Sequence, residues 1–225
     1  MTTAPSALAG PMRAAVDLAW ESFRAGSLGV GAVITDAGGT VIATGRNRLG
    51  ETDPGDDHLA GTSLAHAEMN ALAKLRWRAH RGDHLVLWTT LEPCLQCAGA
   101  LRVGPISEVQ VLAPDPIFPT MDQLRTVAHR TERPWPTWHR WPASEAAVFG
   151  LVLHTHAFLT LGIDMPAWRD GLPRVAALTR RWRERGTLDA FAADGVEVGA
   201  VLAALAPDLR SALPDVQGLL AAPTP

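Results

Sequence analysis

The spacing of apolar residues near the start of the chain predicts one helix followed by two strands. Residues 6–25 carry apolar side chains three or four positions apart, the period of an amphipathic helix, and Gly26 is its expected end. The apolar, β-branched runs 29–35 and 40–46 are separated by Asp36-Ala37-Gly38-Gly39, which is typical of a hairpin turn. The apolar positions of the predicted helix are Leu8, Met12, Ala15, Ala19 and Phe23.

The next residues predict a loop and then further alternating helices and strands. Residues 50–61 are acidic and rich in turn-forming residues, and Thr62 or Ser63 offers an N-cap for a helix over 64–80. Alternation of strands and helices after a hairpin indicates an α/β sandwich around a mixed sheet. The remaining predicted elements are a strand at 84–90, a helix from Pro93 to about Val103, and a strand at 108–113.

The pattern changes after Pro114. Residues 114–142 contain several prolines and three tryptophans, so the segment 134–142 cannot form one regular helix. From Ser144 onward the pattern is mainly helical. We therefore predict a first domain over residues 1–160 and a helical C-terminal extension over 161–225. Breaks between the helices are expected near Gly162, Gly186 and Pro207.

Charge and composition narrow the classes of partner. The formal net charge is −3 and the pI is near 6.2, so no global positive field attracts nucleic acid, and a polynucleotide substrate is disfavoured. No apolar stretch reaches the 18 or so residues that a membrane helix needs. Residues 1–11 lack a basic flank followed by a long apolar run, so no signal peptide is expected. These features predict a cytoplasmic protein without a membrane anchor.

The two cysteines, Cys94 and Cys97, are compatible with a redox dithiol, half of a structural zinc site or a catalytic metal site. A stabilising disulfide is disfavoured, because closing so short a loop removes little unfolded-state entropy. His66 supplies an imidazole, and two thiolates with one imidazole make three zinc ligands that leave a fourth position open for water. The set therefore favours a catalytic site.

The expected helix positions bring these groups together. In a helix that begins at Pro93, Cys94 and Cys97 share a face of the first turn, where the helix dipole favours thiolate. Glu68 lies two residues after His66, and the two side chains can face one cavity if the helix begins just before them. Glu68 can then take a proton from water, deliver it to a substrate ring nitrogen and protonate the departing amine.

Several segments resemble the cytidine-deaminase-like superfamily of zinc-dependent deaminases. They are VGAVI at 30–34, GRN at 45–47, HAE at 66–68 and TLEPCLQCAGAL at 90–101. Histidine before Ala-Glu, together with Thr-Leu-Glu-Pro-Cys, is most similar to the guanine deaminase and tRNA adenosine deaminase branch. The resemblance covers about residues 8–113, and no motif after Ala113 aligns with it.

The resemblance implies a three-layer α/β/α sandwich with a mixed central sheet, one Zn²⁺ per chain, and a homodimer as a common assembly. It implies His66, Cys94 and Cys97 as zinc ligands and Glu68 as the proton shuttle. It also implies that the Asn47 side chain contacts the substrate ring. The groups implied to hold the reacting oxygen and the leaving amine are the Ala67 N–H and a carbonyl near Pro93.

The function expected from these features is hydrolytic deamination of a free nucleobase such as guanine, adenine or cytosine, of a nucleoside, or of a related amino-heterocycle. Deamination of adenosine in tRNA is the first alternative, which the net charge disfavours. A zinc-stabilised binding protein without catalysis is the second, and the presence of Glu68 argues against it. The loop between Asn47 and His66 is longer than is usual for this branch, so it is expected to shape the substrate pocket.

Other conspicuous residues receive structural roles. His58 is expected in a solvated loop, and His154 and His156 are expected in the core or on the surface. The tryptophans of 135–141 are expected to anchor an irregular segment to the core rather than to cover the pocket. The arginine-rich run 180–185 is expected to be a solvated helix face rather than a phosphate contact.

Overall fold

The computed structural model describes residues 8, 10–76, 78–80, 82–117 and 134–221. No helix in this part of the chain is long and apolar enough to cross a bilayer. The cytoplasmic location and the homodimer stay predictions.

The strands are β1 (Gly31–Thr35), β2 (Val41–Arg46), β3 (Leu85–Leu91), β4 (Ile106–Ala113) and β5 (Thr137–Arg140). The helices are α1 (Gly10–Arg24), α2 (Ala67–Ala73), α3 (Leu95–Val103), α4 (Glu145–Thr160), α5 (Pro166–Gly171), α6 (Pro173–Glu184), α7 (Thr187–Ala193), α8 (Val198–Ser211) and α9 (Leu213–Ala221).

The strands form one mixed sheet in the order β2-β1-β3-β4-β5. Strand β1 is antiparallel to β2 and β3, whereas β4 runs parallel to β3 and β5. The predicted hairpin is confirmed, with Gly31 opposite Arg46. Strand β5 was not predicted, because its four residues lie among prolines and tryptophans, where apolar and polar residues do not alternate regularly.

Two glycines show that helices cover both faces of the sheet. A Cβ added at Gly31 would collide with the backbone of α1 at Ala15. A Cβ added at Gly45 would collide with the backbone of α2 at Ala67. Gly45 pairs with Ala32, and consecutive residues of a strand point to opposite faces, so α1 and α2 lie on opposite sides. Helix α4 packs with α1 and helix α3 with α2, which confirms the three-layer α/β/α sandwich.

The two helices beside the site start later than predicted. The prediction of a helix over 64–80 capped by Thr62 or Ser63 is wrong, because α2 covers Ala67–Ala73 and its N-cap is His66. The preceding residues form a turn, in which the Ala65 N–H donates to the Thr62 carbonyl.

Pro93 does not occupy the first turn of α3, which is capped by Cys94. The Glu92 N–H donates to the Ala113 carbonyl, so the pairing of β3 with β4 continues to the residue before Pro93. This pairing keeps the chain extended up to the proline and delays the start of the helix.

The C-terminal region is helical, and α4 lies at its centre. Every residue from 146 to 154 is buried, which is typical of a helix packed on all sides, and α4 contacts the sheet as well as α6 and α8. Breaks at Gly162 and Gly186, both with positive φ, are confirmed. The predicted break at Pro207 is wrong: it lies inside α8, where buried Leu205 and Leu209 on either side hold the helix against the core. The boundary between 1–160 and 161–225 stays a prediction.

Candidate active site and metal centre

Two helix starts bring the predicted metal ligands together. His66 is the N-cap of α2, Cys94 is the N-cap of α3, and Cys97 lies in the first turn of α3. The Nδ1 atom of His66 lies 3.6 Å from the Cys94 Sγ and 3.4 Å from the Cys97 Sγ, and the two sulfurs are 3.8 Å apart. Within the described residues this is the group of three side chains that could hold a metal ion.

These separations fit a tetrahedral zinc centre. Zn–S bonds of about 2.3 Å and Zn–N bonds of about 2.0 Å at tetrahedral angles separate two sulfurs by about 3.8 Å, and a sulfur from a nitrogen by about 3.5 Å. The observed distances agree with both values. A disulfide needs sulfurs about 2.05 Å apart, and Cys94 and Cys97 are free thiols. The redox-dithiol alternative is therefore the poorer description of this pair.

The surroundings of the two thiols favour one thiolate. A hydrogen bond from the Cys97 thiol, together with one from His66, lowers the pKa of Cys94 to about 4 despite its partial burial. The same sulfur–sulfur hydrogen bond, followed by burial, raises the pKa of Cys97. The hydrogen bond to Cys94 raises the pKa of His66. The electrostatics thus favour negative charge where a divalent cation would bind.

Glu68 lies in the first turn of α2, and its carboxylate faces the same centre. Its Oε1 accepts a hydrogen bond of 2.9 Å from the Thr89 hydroxyl, and its Oε2 lies 3.5 Å from the Cys97 Sγ. The residue is 3% exposed, and burial raises the pKa of its carboxyl group. A carboxyl group with a raised pKa exchanges protons more readily near neutral pH, as a general acid and base must.

A cavity of about 190 Å³ opens onto this centre. One part of its lining comes from the motif-bearing half of the chain, and the other comes from α4, α5 and the segment between them. None of the described lining residues is a lysine or an arginine. The lining residues are Leu28, Val30, Asn47, Leu49, His66, Glu68, Leu91, Glu92, Cys94, Asp115, Ile117, His154, Phe158, Met165 and Trp168.

The three predicted substrate contacts differ in their positions. Asn47 lines the cavity; its Oδ1 accepts from the backbone N–H groups of Leu49 at 3.0 Å and Leu28 at 3.4 Å, which leaves its amide N–H groups as donors. Ala67 is the first residue of α2, so its N–H is among those that a helix leaves without an internal partner. Pro93 lies between two lining residues but does not itself line the cavity. The roles of all three stay predictions.

Sequence reasoning missed the polar residues that support the site from a distance. Thr89, which holds Glu68, is fully buried in β3, and its only signal in the sequence was that it is one of two threonines in an otherwise apolar strand. Glu92 is buried beside the cavity and paired with Arg140 of β5, with Nη2 to Oε1 at 2.5 Å. Asp115 also lines the cavity. His154, expected only in the core or on the surface, is buried and lines the cavity as well.

The long loop before His66 is fixed by buried polar groups. Asp57 accepts from the side chain of Arg48 at 2.7 Å and from that of Lys74, just after α2, at 2.7 Å. The side chain of Asn70 in α2 donates to the Leu59 carbonyl and accepts from the Leu59 N–H. These contacts hold the loop against the helix whose start carries His66.

The remaining expectations agree with the structure. His58 is exposed in the loop. Trp141 packs against the core and donates to Gln110 at 2.8 Å, as expected of an anchor, and none of the tryptophans of 135–141 lines the cavity. The arginine run 180–185 lies mostly on the solvent-facing side of α6, although Trp182 within it is buried.

Known proteins share the motif-bearing half of the chain. Residues 7–113 match the cytidine and deoxycytidylate deaminase zinc-binding region. A tRNA-specific adenosine deaminase of Haemophilus influenzae is 36% identical over 107 residues, which are 46% of this chain and 57% of that protein. The tRNA-specific adenosine deaminase 2 of Xenopus laevis is 32% identical over 100 residues, 41% of this chain and 52% of that protein. The chain thus spans about half the length of these curated relatives.

The fold also has a solved counterpart. A structure from a study of A-to-I editing by tRNA:A34 deaminases at the wobble position of tRNA has a TM-score of 0.50 with 24% identity, over 62% of this chain and 97% of that one. At this identity the likeness supports the fold alone. Residues 7–113 thus carry both the match to the cytidine and deoxycytidylate deaminase zinc-binding region and the His/Cys/Cys group, within a fold that has a solved counterpart.

Proposed function

We propose that this protein is a zinc-dependent hydrolytic deaminase of a free nucleobase, a nucleoside or a related small amino-heterocycle. The observation that carries the proposal is the cavity that Glu68, His66 and Cys94 line together with α4 and α5, with Cys97 completing the His/Cys/Cys group. Such a reaction takes up one water and releases one ammonia, as the ring C–NH2 group becomes a carbonyl.

Three side chains form a donor set that suits a zinc ion. His66, Cys94 and Cys97 would hold the zinc ion, because their spacing and the thiolate character of Cys94 suit it. Bound zinc supplies a Lewis acid that lowers the pKa of a water molecule from about 16 towards 7. Three protein ligands leave room for that water, as is typical of catalytic rather than structural zinc sites.

Glu68 performs the proton transfers. Its carboxylate takes a proton from water and delivers it to a ring nitrogen of the substrate, and it returns a proton to the departing amine. Thr89 holds Oε1, so that the other oxygen keeps a fixed position during both transfers. A structural metal site has no need of a buried carboxylate with this geometry, which argues against a binding protein without catalysis.

The shape and charge of the cavity favour a small neutral substrate. The volume of about 190 Å³ leaves room for a small heterocycle. Three of its described lining residues, Glu68, Glu92 and Asp115, are acidic, and no lysine or arginine among them could pair with a phosphate. The cavity is therefore better suited to an uncharged heterocycle than to a nucleotide.

Ammonia release from a panel of substrates tests the proposal. The zinc-loaded protein is incubated with purine and pyrimidine bases, nucleosides, aminotriazines and a tRNA anticodon stem-loop, and ammonia is measured by a coupled assay. We expect turnover of at least one small heterocycle. If the zinc-loaded protein releases no ammonia from any small compound, the proposed activity is refuted.

Deamination of adenosine in tRNA is the second candidate. It is favoured by the curated relatives, which are named tRNA-specific adenosine deaminases. The net charge of −3 and the cavity lining oppose it, because binding to a nucleic-acid backbone depends on lysine and arginine. Turnover of the stem-loop without turnover of any small compound would establish this alternative.

A further inference from the structure

His154 of α4 lines the active-site cavity although it lies far along the chain from the zinc-binding motifs. Its ring is held on two sides by aromatic side chains. The centroid of Phe158 lies 4.7 Å away with an interplanar angle of 85°, and that of Trp168 lies 4.9 Å away at 38°. The imidazole therefore has a fixed orientation in the cavity wall.

The hydrogen bond of this ring determines which nitrogen carries the proton. Its Nδ1 lies 3.2 Å from the Leu28 carbonyl oxygen, and a carbonyl can only accept, so Nδ1 is the protonated nitrogen. Burial lowers the pKa of His154 to about 4, which keeps the ring neutral near pH 7. Nε2 is then unprotonated and can only accept a hydrogen bond. It has no hydrogen-bond partner in the described part of the chain.

We propose that the Nε2 atom of His154 accepts a hydrogen bond from a ring N–H of the substrate, and that the site thereby selects free bases over N-substituted rings. This inference rests on the proposed function. In a nucleoside the sugar replaces the hydrogen of one ring N–H, so that donor is lost and added bulk stands in its place. A ring with the N–H intact donates to the Nε2 atom of His154. The substituted ring leaves this acceptor without a partner, which weakens the free energy of binding.

The rest of the cavity agrees with this selection. Its lining includes the carboxylate of Glu68, an acceptor that suits a ligand with N–H donors, whereas Glu92 is already paired with Arg140. The wall beside His154 also contains Phe158, Met165 and Trp168, of which only Trp168 carries a polar group, a buried indole N–H that can donate but not accept.

Equilibrium binding separates this role from a structural one. The ligands are two matched pairs, cytosine with 1-methylcytosine and guanine with 9-methylguanine, measured by calorimetry on zinc-loaded Glu68→Gln protein so that the ligand is not consumed. In this background His154→Asn keeps a donor for the Leu28 carbonyl but places no acceptor at the position of Nε2. His154→Gln places an amide oxygen near the position of Nε2. Zinc content and thermal unfolding check that each variant is folded.

The expected result is a selective loss. For at least one pair, the parent protein binds the free base more tightly than the methylated ring. His154→Asn weakens binding of that free base about tenfold, the effect of losing one hydrogen bond, and changes the methylated ring less than about twofold. His154→Gln restores most of the preference.

Two outcomes would overturn the inference. One is equal weakening of both members of a pair, which would show that His154 only supports the wall. The other is equal binding of free and methylated rings by the parent protein, or no binding of either. Either outcome would refute the role of His154 but not the proposed activity, because the wild-type protein could still release ammonia. Absence of ammonia release would refute the proposed activity, and the binding preference could still be measured.

Discussion

Gly45 lies where the sheet touches the helix that carries His66 and Glu68, and replacing it with alanine should damage both stability and the site. The new Cβ would overlap the carbonyl oxygen of Ala67 and the backbone nitrogen of Ala71, and it would lie 3.0 Å from the carbonyl carbon of Asn70. All three contacts are with backbone atoms of α2, so no side chain can rotate to relieve them. Helix α2 must move by about 1 Å to restore ordinary contacts of about 3.5 Å.

The size of the effect follows from that movement. Overpacking of this kind costs about 1–3 kcal/mol of unfolding free energy. A shift of about 1 Å in the start of α2 also displaces Glu68 from the centre, and misplacement on that scale lowers turnover about 100-fold. We expect Gly45→Ala to show both losses in urea denaturation and in ammonia release corrected for the folded fraction.

Two other glycines provide matched controls. Gly31→Ala would place its Cβ 2.6 Å from the Ala19 nitrogen of α1, on the opposite face of the sheet, so it should lower stability similarly but change turnover of the folded protein by only a few-fold. Gly99→Ala in α3 meets no atom within 4 Å, and it should raise stability by about 0.5–1 kcal/mol. Wild-type stability and turnover in Gly45→Ala would refute the account of how α2 is positioned.

Three further substitutions test separate parts of the site. Thr89→Val removes the hydrogen bond to Glu68 and should lower turnover about tenfold while zinc content stays at one per chain; unchanged kinetics would show that Thr89 does not position the carboxylate. Asp57→Asn removes the charge that pairs with Lys74 and should lower the unfolding free energy by about 2 kcal/mol in urea titrations, and an unchanged midpoint would contradict the role of this loop. Cys94→Ser should abolish stoichiometric zinc by elemental analysis, and retention of tightly held zinc would exclude Cys94 as a ligand.

The sequence could indicate the candidate metal ligands because their relations along the chain are local. His66 and Glu68 are two residues apart, Cys94 and Cys97 are three apart, and each pair lies at a helix start. The helix boundaries were less accurate. The residues before His66 form a turn, and continued pairing of β3 with β4 delays the start of α3, because tertiary contacts outweigh N-cap preference.

The wall of the cavity could not be predicted for the opposite reason. His154 contacts the Leu28 carbonyl 126 residues away, and the sequence gives no indication of which helix reaches the cavity. Thr89 likewise meets Glu68 only across the sheet. Pro207 continues a helix despite its missing N–H, because buried residues before and after it hold the helix in the core. These features depend on packing between distant segments, on which local periodicity gives no information.

The central claim is that one buried carboxylate moves protons beside a His/Cys/Cys zinc centre. Its most direct test is ammonia release by wild-type protein and by Glu68→Gln, each carrying one zinc per chain, on the best substrate of the panel. We predict that the Gln variant keeps its zinc and loses at least about 1,000-fold in turnover, in line with the 10²–10⁴-fold typical of general acid–base catalysis. Full turnover by the Gln variant at equal zinc content would contradict the account.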